Sequence, residues 1–381
     1  IRDLMEDGYS LEDARDYSIV GCVEPTGTGD NNGYTSGNAI SLISCLEMCL
    51  NEGGRWVVDW NRVGAATSPA STFKTFEDVK KAFADQVAYC IKLAARRIWL
   101  KDQVIAENYP LPLLSATITG CLESGKDITS GGACYNHGSI SASALATISD
   151  SLTAIRWAVF EKKLLTMEEL VTHLRNNFEG VEDIRQQLRN APKYGNDDKS
   201  ADELAMWVLD VYNQETYKHK SFHGGPQRAC MISVMGSQVT RGLTCGATPD
   251  GRLSQVPLSA GLSPSNGNER NGITAVLRSA ATVSAIRFSD GTSLNLNFNP
   301  EMIKTDEGLK KFAALIEAYM GLGGRHVQFN PVSREILLDA QAHPENYPEL
   351  MVKVSGYSFR FIDLSKGIQD DIISRTEFTA I

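Results

Sequence analysis

In Val352-Lys353-Val354-Ser355-Gly356-Tyr357-Ser358-Phe359 a glycine stands between strand-forming residues and bulky aromatics. Glycine weakens a strand, so one at this place marks a bulge or the close approach of another backbone. Two readings are open. In the first, Gly356 is a β-bulge glycine that supplies an unusual φ/ψ pair. In the second, it carries an α-carbon radical. Such a radical is delocalised between the amide nitrogen and the carbonyl when the centre is planar. A Cβ would crowd that planar form and block access to the hydrogen. On the second reading Gly356→Ala abolishes the chemistry and leaves the fold nearly intact.

Near the other end, Tyr17-Ser18-Ile19-Val20 leads into Gly21-Cys22-Val23-Glu24-Pro25. A short apolar strand delivers a cysteine and, two residues on, a carboxylate. Positions i and i+2 of an extended segment point the same way, so Cys22 and Glu24 are expected to face one pocket, with Pro25 stopping the strand. A sulfur and a carboxyl on one side of a loop suit a thiyl with an acid/base partner, or a thiolate nucleophile with a proton carrier. A buried cysteine beside a surface glutamate would leave the same pattern.

The 381 residues are 42% apolar and 22% charged, which suits one large core or two domains. A net charge of −9 without a Lys/Arg run argues against a nucleic-acid groove. No apolar run reaches the ~18 residues that span a bilayer, so no membrane partner is expected. No signal peptide is legible, and Ile1-Arg2-Asp3-Leu4 reads as the middle of a helix. The chain is therefore expected to be the C-terminal portion of something longer. Its eight cysteines (22, 45, 49, 90, 121, 134, 230 and 245) have no CxxC spacing. That argues against a closed zinc site and against a disulfide framework, and places the chain in a reducing cytoplasm.

Amphipathic helices are predicted over Ile40 to Asn51, Glu77 to Glu107, Leu145 to Lys163, Glu203 to Lys218 and Leu309 to Gly321. Thr166-Met167-Glu168-Glu169 is a capping box that opens one more. Short apolar runs at Ala229 to Val234, Ile273 to Leu277 and His326 to Asn330 suit strands. Helices that alternate with strands favour an α/β architecture. No repeat, low-complexity tract or obvious linker interrupts it.

Further stretches complete a pattern: Ser130-Gly131-Gly132-Ala133, Asp150-Ser151-Leu152-Thr153-Ala154-Ile155, the turn-rich Gly246 to Arg252, Gly323-Gly324 with His326-Val327-Gln328-Phe329-Asn330, and Gln369-Asp370-Asp371-Ile372-Ile373-Ser374-Arg375-Thr376. With the loops at 21–25 and 354–358, and in this order, they resemble the C-terminal half of a glycyl radical enzyme of the superfamily related to pyruvate formate-lyase. The resemblance runs from residue 17 to residue 376.

The resemblance implies a ten-stranded α/β barrel of two antiparallel half-barrels, surrounded by helices, in which a cysteine loop and a glycine loop meet. This chain would hold the second half-barrel with both loops, divided into a cysteine-loop and barrel region over 1–330 and a glycine radical domain over 331–381. Its partners would be the missing N-terminal half, a second copy in a homodimer, a small-molecule substrate, and a separate radical S-adenosylmethionine activase with an iron–sulfur cluster. No cofactor would be permanently bound and no metal held; the glycyl radical would be installed on Gly356 and passed to Cys22. Pyruvate formate-lyase itself carries two adjacent cysteines where this chain has Cys22-Val23. A carboxyl two residues after the cysteine matches relatives that eliminate or decarboxylate.

The resemblance thus implies an anaerobic lyase in which a Cys22 thiyl abstracts hydrogen and Glu24 acts as general acid/base while a C–O, C–N or C–S bond breaks. A decarboxylase of arylacetate-like acids or a fumarate-adding enzyme is the alternative within the family. Outside that chemistry stand a non-catalytic radical-bearing subunit and a thiolate hydrolase. Thr35 and Ser36 fall near substrate contacts of the family. Gly27-Thr28-Gly29-Asp30-Asn31-Asn32-Gly33 lacks the Lys-Ser/Thr ending of a phosphate cradle. His137 is either a pocket residue or a hydrogen-bonded loop histidine. Arg228 either clamps a substrate carboxylate or sulfonate, or forms a structural salt bridge.

Overall fold

The computed structural model describes residues 1–32, 35, 37–57 and 62–380, apart from the side chain of Met235. A first hairpin pairs β1 (Tyr17–Val20) antiparallel to β2 (Glu24–Gly27). Then come β3 (Asn38–Ala39), β4 (Gly138–Ala142), β5 (Gln227–Met231), β6 (Asn295–Phe298) and β7 (Gln328–Asn330). They lie parallel in chain order: β3–β4–β5 form one ladder and β6–β7 another, and a parallel bridge from Met231 to Thr292 joins the two. A second hairpin, β8 (Met351–Val354) with β9 (Tyr357–Arg360), follows, and β10 (Glu377–Phe378) pairs with β6. Five parallel strand segments thus make a row that does not close on itself among the described residues.

Parallel neighbours need crossovers, and helices supply them. Phe76–Asn108 lies between β3 and β4, Leu145–Ile155 and Lys199–Tyr217 between β4 and β5, Gly272–Val283 between β5 and β6, and Asp306–Gly321 between β6 and β7. The longest of these is opened by a Thr75/Asp78 capping box and buries Val79, Phe83, Val87, Ile91 and Ile98 along one stripe. Each of those side chains contributes roughly 1.5–3 kcal/mol by leaving water. The Thr166 capping box forms as expected and opens Met167–Arg175. The helix predicted to reach Lys163 is α-helical to Ile155 and π-helical over Arg156–Glu161.

One expected strand is not there. Ile273 to Leu277 lies within the helix Gly272–Val283. Its buried positions Ile273, Val276, Leu277, Ala280 and Val283 recur every three or four residues, so the apolar run was one face of a helix.

Along the parallel strands, alternate residues take opposite faces. Ile140, Ala142, Ala229, Met231, Leu296 and Phe298 join the helices in the main apolar core. Ser139, Ser141, Arg228, Asn295, Asn297, Gln328 and Asn330 point the other way, and that polar face receives both hairpins. The second hairpin is carried by a separate core of Val332, Leu337, Ala340, Val352, Val354, Phe361, Ile372 and Ile373.

Candidate active site

Cys22 is not on a strand. β1 ends at Val20, β2 begins at Glu24, and Gly21-Cys22-Val23 is the turn between them. The expectation that Cys22 and Glu24 share a face as i and i+2 of an extended segment is therefore corrected. The turn brings them together instead. The buried Glu24 carboxylate reaches back under it, and Oε2 accepts the backbone N–H of Cys22 and of Val23, both at 2.7 Å. Gly21 makes room: at φ +63° it adopts a left-handed conformation, and a Cβ there would lie 2.9 Å from Glu24 Oε2. The tip is seated on the strand row by Val23 and Cys22, which pack with Cys230, Ile232 and Val234.

Gly356 is not a bulge residue. Val354 pairs with Tyr357, so Ser355-Gly356 forms a two-residue hairpin turn with φ of +41° and +92°. Such primed turns match strand twist and call for glycine. Gly356 is also where the two hairpin tips touch. A Cβ built on it would lie 2.3 Å from Cys22 Cβ, 2.6 Å from Cys22 Cα and 2.8 Å from Cys22 O. The Gly356 C–H bond that takes the place of an L side chain is thus aimed at Cys22. The side chain of the next residue, Tyr357, lies beside the Cys22 sulfur. Burial, aided by the charge of Glu24 and opposed by Tyr357, pushes the Cys22 thiol up to about 11. At neutral pH the sulfur keeps its hydrogen.

Beneath the cysteine hairpin lies a buried ion pair. The Arg228 guanidinium is 2.6 Å from Asp290, 3.7 Å from Asp7 and donates to the Pro25 carbonyl at 2.8 Å. Ser139 donates to the other Asp290 oxygen. Burial raises Asp290 to about 6 despite the opposing Arg228 charge. This matches the structural salt bridge, one of the two roles open to Arg228.

His137 lies at the N-terminal end of β4, beside a cavity of about 210 Å³ that Asp7, Tyr9, Asn136 and His223 also line. Burial, then the Arg228 charge, lowers its pKa well below the usual imidazole range. None of Cys22, Glu24 and Gly356 lines that cavity. Thr35 is half-buried, and Ser36 lies outside the described residues. The structure therefore unites Cys22, Glu24 and Gly356, with Arg228 one layer below. Tyr357 and Asp290, which meet this site, carried no sequence signal beyond their nearness to Gly356 and to a glycine. Among the described residues, no group of three or more His, Cys, Asp and Glu is placed to hold a metal ion, and no helix is long and apolar enough to cross a membrane.

Two hairpin tips thus press a glycine against a cysteine. Residues 1–241 match the pyruvate formate lyase-like family and residues 258–362 the glycine radical family. The chain belongs to these glycyl radical enzymes. It is 38% identical over 380 residues to trans-4-hydroxy-L-proline dehydratase of Clostridioides difficile, covering 100% of this chain and 48% of that one. It is 36% identical to isethionate sulfite-lyase of Oleidesulfovibrio alaskensis, covering 98% and 46%. It superposes with a TM-score of 0.94 on the glycerol-bound B12-independent glycerol dehydratase of Clostridium butyricum, at 38% identity over 99% of this chain and 48% of the other. The chain thus spans about half the length of the relatives it matches.

Proposed function

We propose that this chain is the C-terminal half of a glycyl radical lyase of the eliminating type. The observation that carries this is the contact of Gly356 with Cys22, in a turn whose only acid/base group within two residues is Glu24. A delocalised radical stored at Gly356 takes the Cys22 S–H hydrogen, leaving a thiyl. The thiyl abstracts hydrogen from the substrate carbon next to the leaving group. Glu24 takes a proton from a substrate hydroxyl or gives one to the departing group, so the C–X bond breaks with water, an amine or sulfite leaving. The product radical recovers hydrogen from Cys22, and Cys22 recovers its own from Gly356. Substrate becomes product plus HX, with no net oxidation. The high Cys22 pKa supports hydrogen-atom transfer over attack by a thiolate, which needs a lowered one.

In this reading the five-strand row is one half of a ten-stranded barrel, and residues 331–381 form the glycine radical domain. The N-terminal half supplies the remaining wall, and Thr35, Ser36 and His137 are substrate contacts. A separate activase with an iron–sulfur cluster and S-adenosylmethionine installs the radical. The whole enzyme works as a cytoplasmic homodimer under anaerobic conditions.

The test is an anaerobic electron paramagnetic resonance spectrum of the full-length protein after incubation with its activase and S-adenosylmethionine, then air exposure and mass spectrometry. A glycyl doublet with oxygen-dependent cleavage at Gly356 is expected. A proven activase that yields neither would remove the radical and return Cys22 to the role of an ordinary thiol. Product analysis then separates elimination from decarboxylation.

A further inference from the structure

We propose that Gln328 is the positioning residue that holds Gly356 against Cys22. Gln328 opens β7 and lies on the polar face of the strand row, and its Oε1 accepts the Gly356 N–H at 2.9 Å. In a two-residue turn the amide of the second central residue has no partner in the hairpin ladder. Here the Gln328 side chain accepts it.

Two neighbours complete a cradle of amides. Asn330, two residues on and therefore on the same face, accepts the Lys353 N–H at 2.6 Å and donates to the Lys353 carbonyl at 3.1 Å. Asn295, directly across from Gln328 in the β6–β7 register, reaches Ser355 Oγ at 3.4 Å. Lys353, Ser355 and Gly356 are thus gripped by side chains. The β8–β9 hairpin forms its own sheet and has no strand ladder with β7.

The consequence is chemical as well as structural. Ser355 is a non-glycine residue at φ +41°, a conformation that persists only when surroundings impose it. The bond from Gln328 fixes the plane of the amide next to the Gly356 α-carbon, and so the direction of the C–H bond aimed at Cys22. This rests on the radical reading for why the alignment matters, but the alignment itself is open to test without a radical.

The test is hydrogen–deuterium exchange and iodoacetamide labelling of the full-length, unactivated protein, both read by mass spectrometry. Gln328→Leu is expected to speed exchange in peptide 352–360 and labelling of Cys22 by roughly tenfold each. Helix Gly272–Val283 and the buried Cys45 and Cys49 are expected to keep wild-type rates. Gln328→Glu retains an acceptor oxygen and is expected to stay within about threefold of wild type. Wild-type protection of the hairpin in Gln328→Leu overturns the proposal. So does equal loosening by the Leu and Glu variants, or loosening of the helix and of Cys45, which a merely space-filling role would give. If the leucine variant does not fold, Gln328→Met repeats the comparison with the same outcomes. A missing doublet in the activated wild type would count against the radical reading and leave this result standing.

Discussion

Gly356 and Cys22 are packed too closely for any side chain at position 356, since a Cβ there would stand 2.3 Å from Cys22 Cβ. Ordinary contacts between such atoms begin near 3.4 Å, and the atoms met are a hairpin backbone and its first side-chain carbon. The glycine is demanded twice, once by its φ of +92° and once by its neighbour.

The expectation that Gly356→Ala leaves the fold nearly intact is overturned by this contact. Left-handed strain and overpacking together predict a loss of roughly 2–4 kcal/mol, concentrated in the two hairpins. Urea denaturation checks it, with an unchanged midpoint contradicting the prediction. Loss of activity in this variant therefore does not isolate the radical, and its spectrum must be read alongside.

Glu24→Gln is the cleaner probe. The amide oxygen can still accept from Cys22 and Val23, so the turn is expected to hold and the radical to form, while turnover falls at least a hundredfold. Glu24→Ala removes both caps and should cost about 1–3 kcal/mol as well. A wild-type rate of product formation by Glu24→Gln would take Glu24 out of the mechanism.

Arg228→Met leaves Asp290 buried without its cation, with a predicted loss of about 3–5 kcal/mol. The double variant Arg228→Met/Asp290→Leu is expected to recover most of it. A substrate clamp would behave differently: Arg228→Met would raise KM and leave the denaturation midpoint in place.

Burial raises Asp150 to about 7, ahead of the opposing charge of Lys193, and raises Asp202 and Asp290 to about 6. Each folded-state value lies above the ordinary carboxylate value, so the folded state holds these protons more tightly than the unfolded chain. The stability they contribute is full below pH 4 and is lost as pH rises through about 6 to 7, at up to about 1.4 kcal/mol per pH unit for each group. Asp150→Asn should make the loss between pH 5 and pH 7.5 smaller. Equal losses in variant and wild type, measured by chemical denaturation, would contradict the assignment.

Much of the molecule is legible along the chain, because helices announce themselves locally. Val79, Phe83, Val87 and Ile91 sit at the helical period, and Thr166 with Glu169 writes its own cap. Cys22, Glu24 and Gly356 stand out because few residue types suit the proposed radical chemistry. Short strands do not announce themselves. Gly138-Ser139-Ile140-Ser141-Ala142 has one β-branched residue and is wholly buried, so nothing in its composition separates it from a loop. Ile273 to Leu277 erred the other way, an apolar run too short for its period to be read.

The sequence by itself determined most of the long helices, the α/β order and the three residues that the proposed chemistry needs, since each depends on neighbours within a few positions. Tertiary structure decided which of them meet. Asn295, Gln328 and Asn330 read as a polar strand face until a hairpin from residues 351–360 covers it. Arg228 has two open roles until Asp290, 62 residues on, lies beside it. The contact of Cys22 with Gly356 joins two turns from opposite ends of the chain, and no local pattern encodes a distance of that kind.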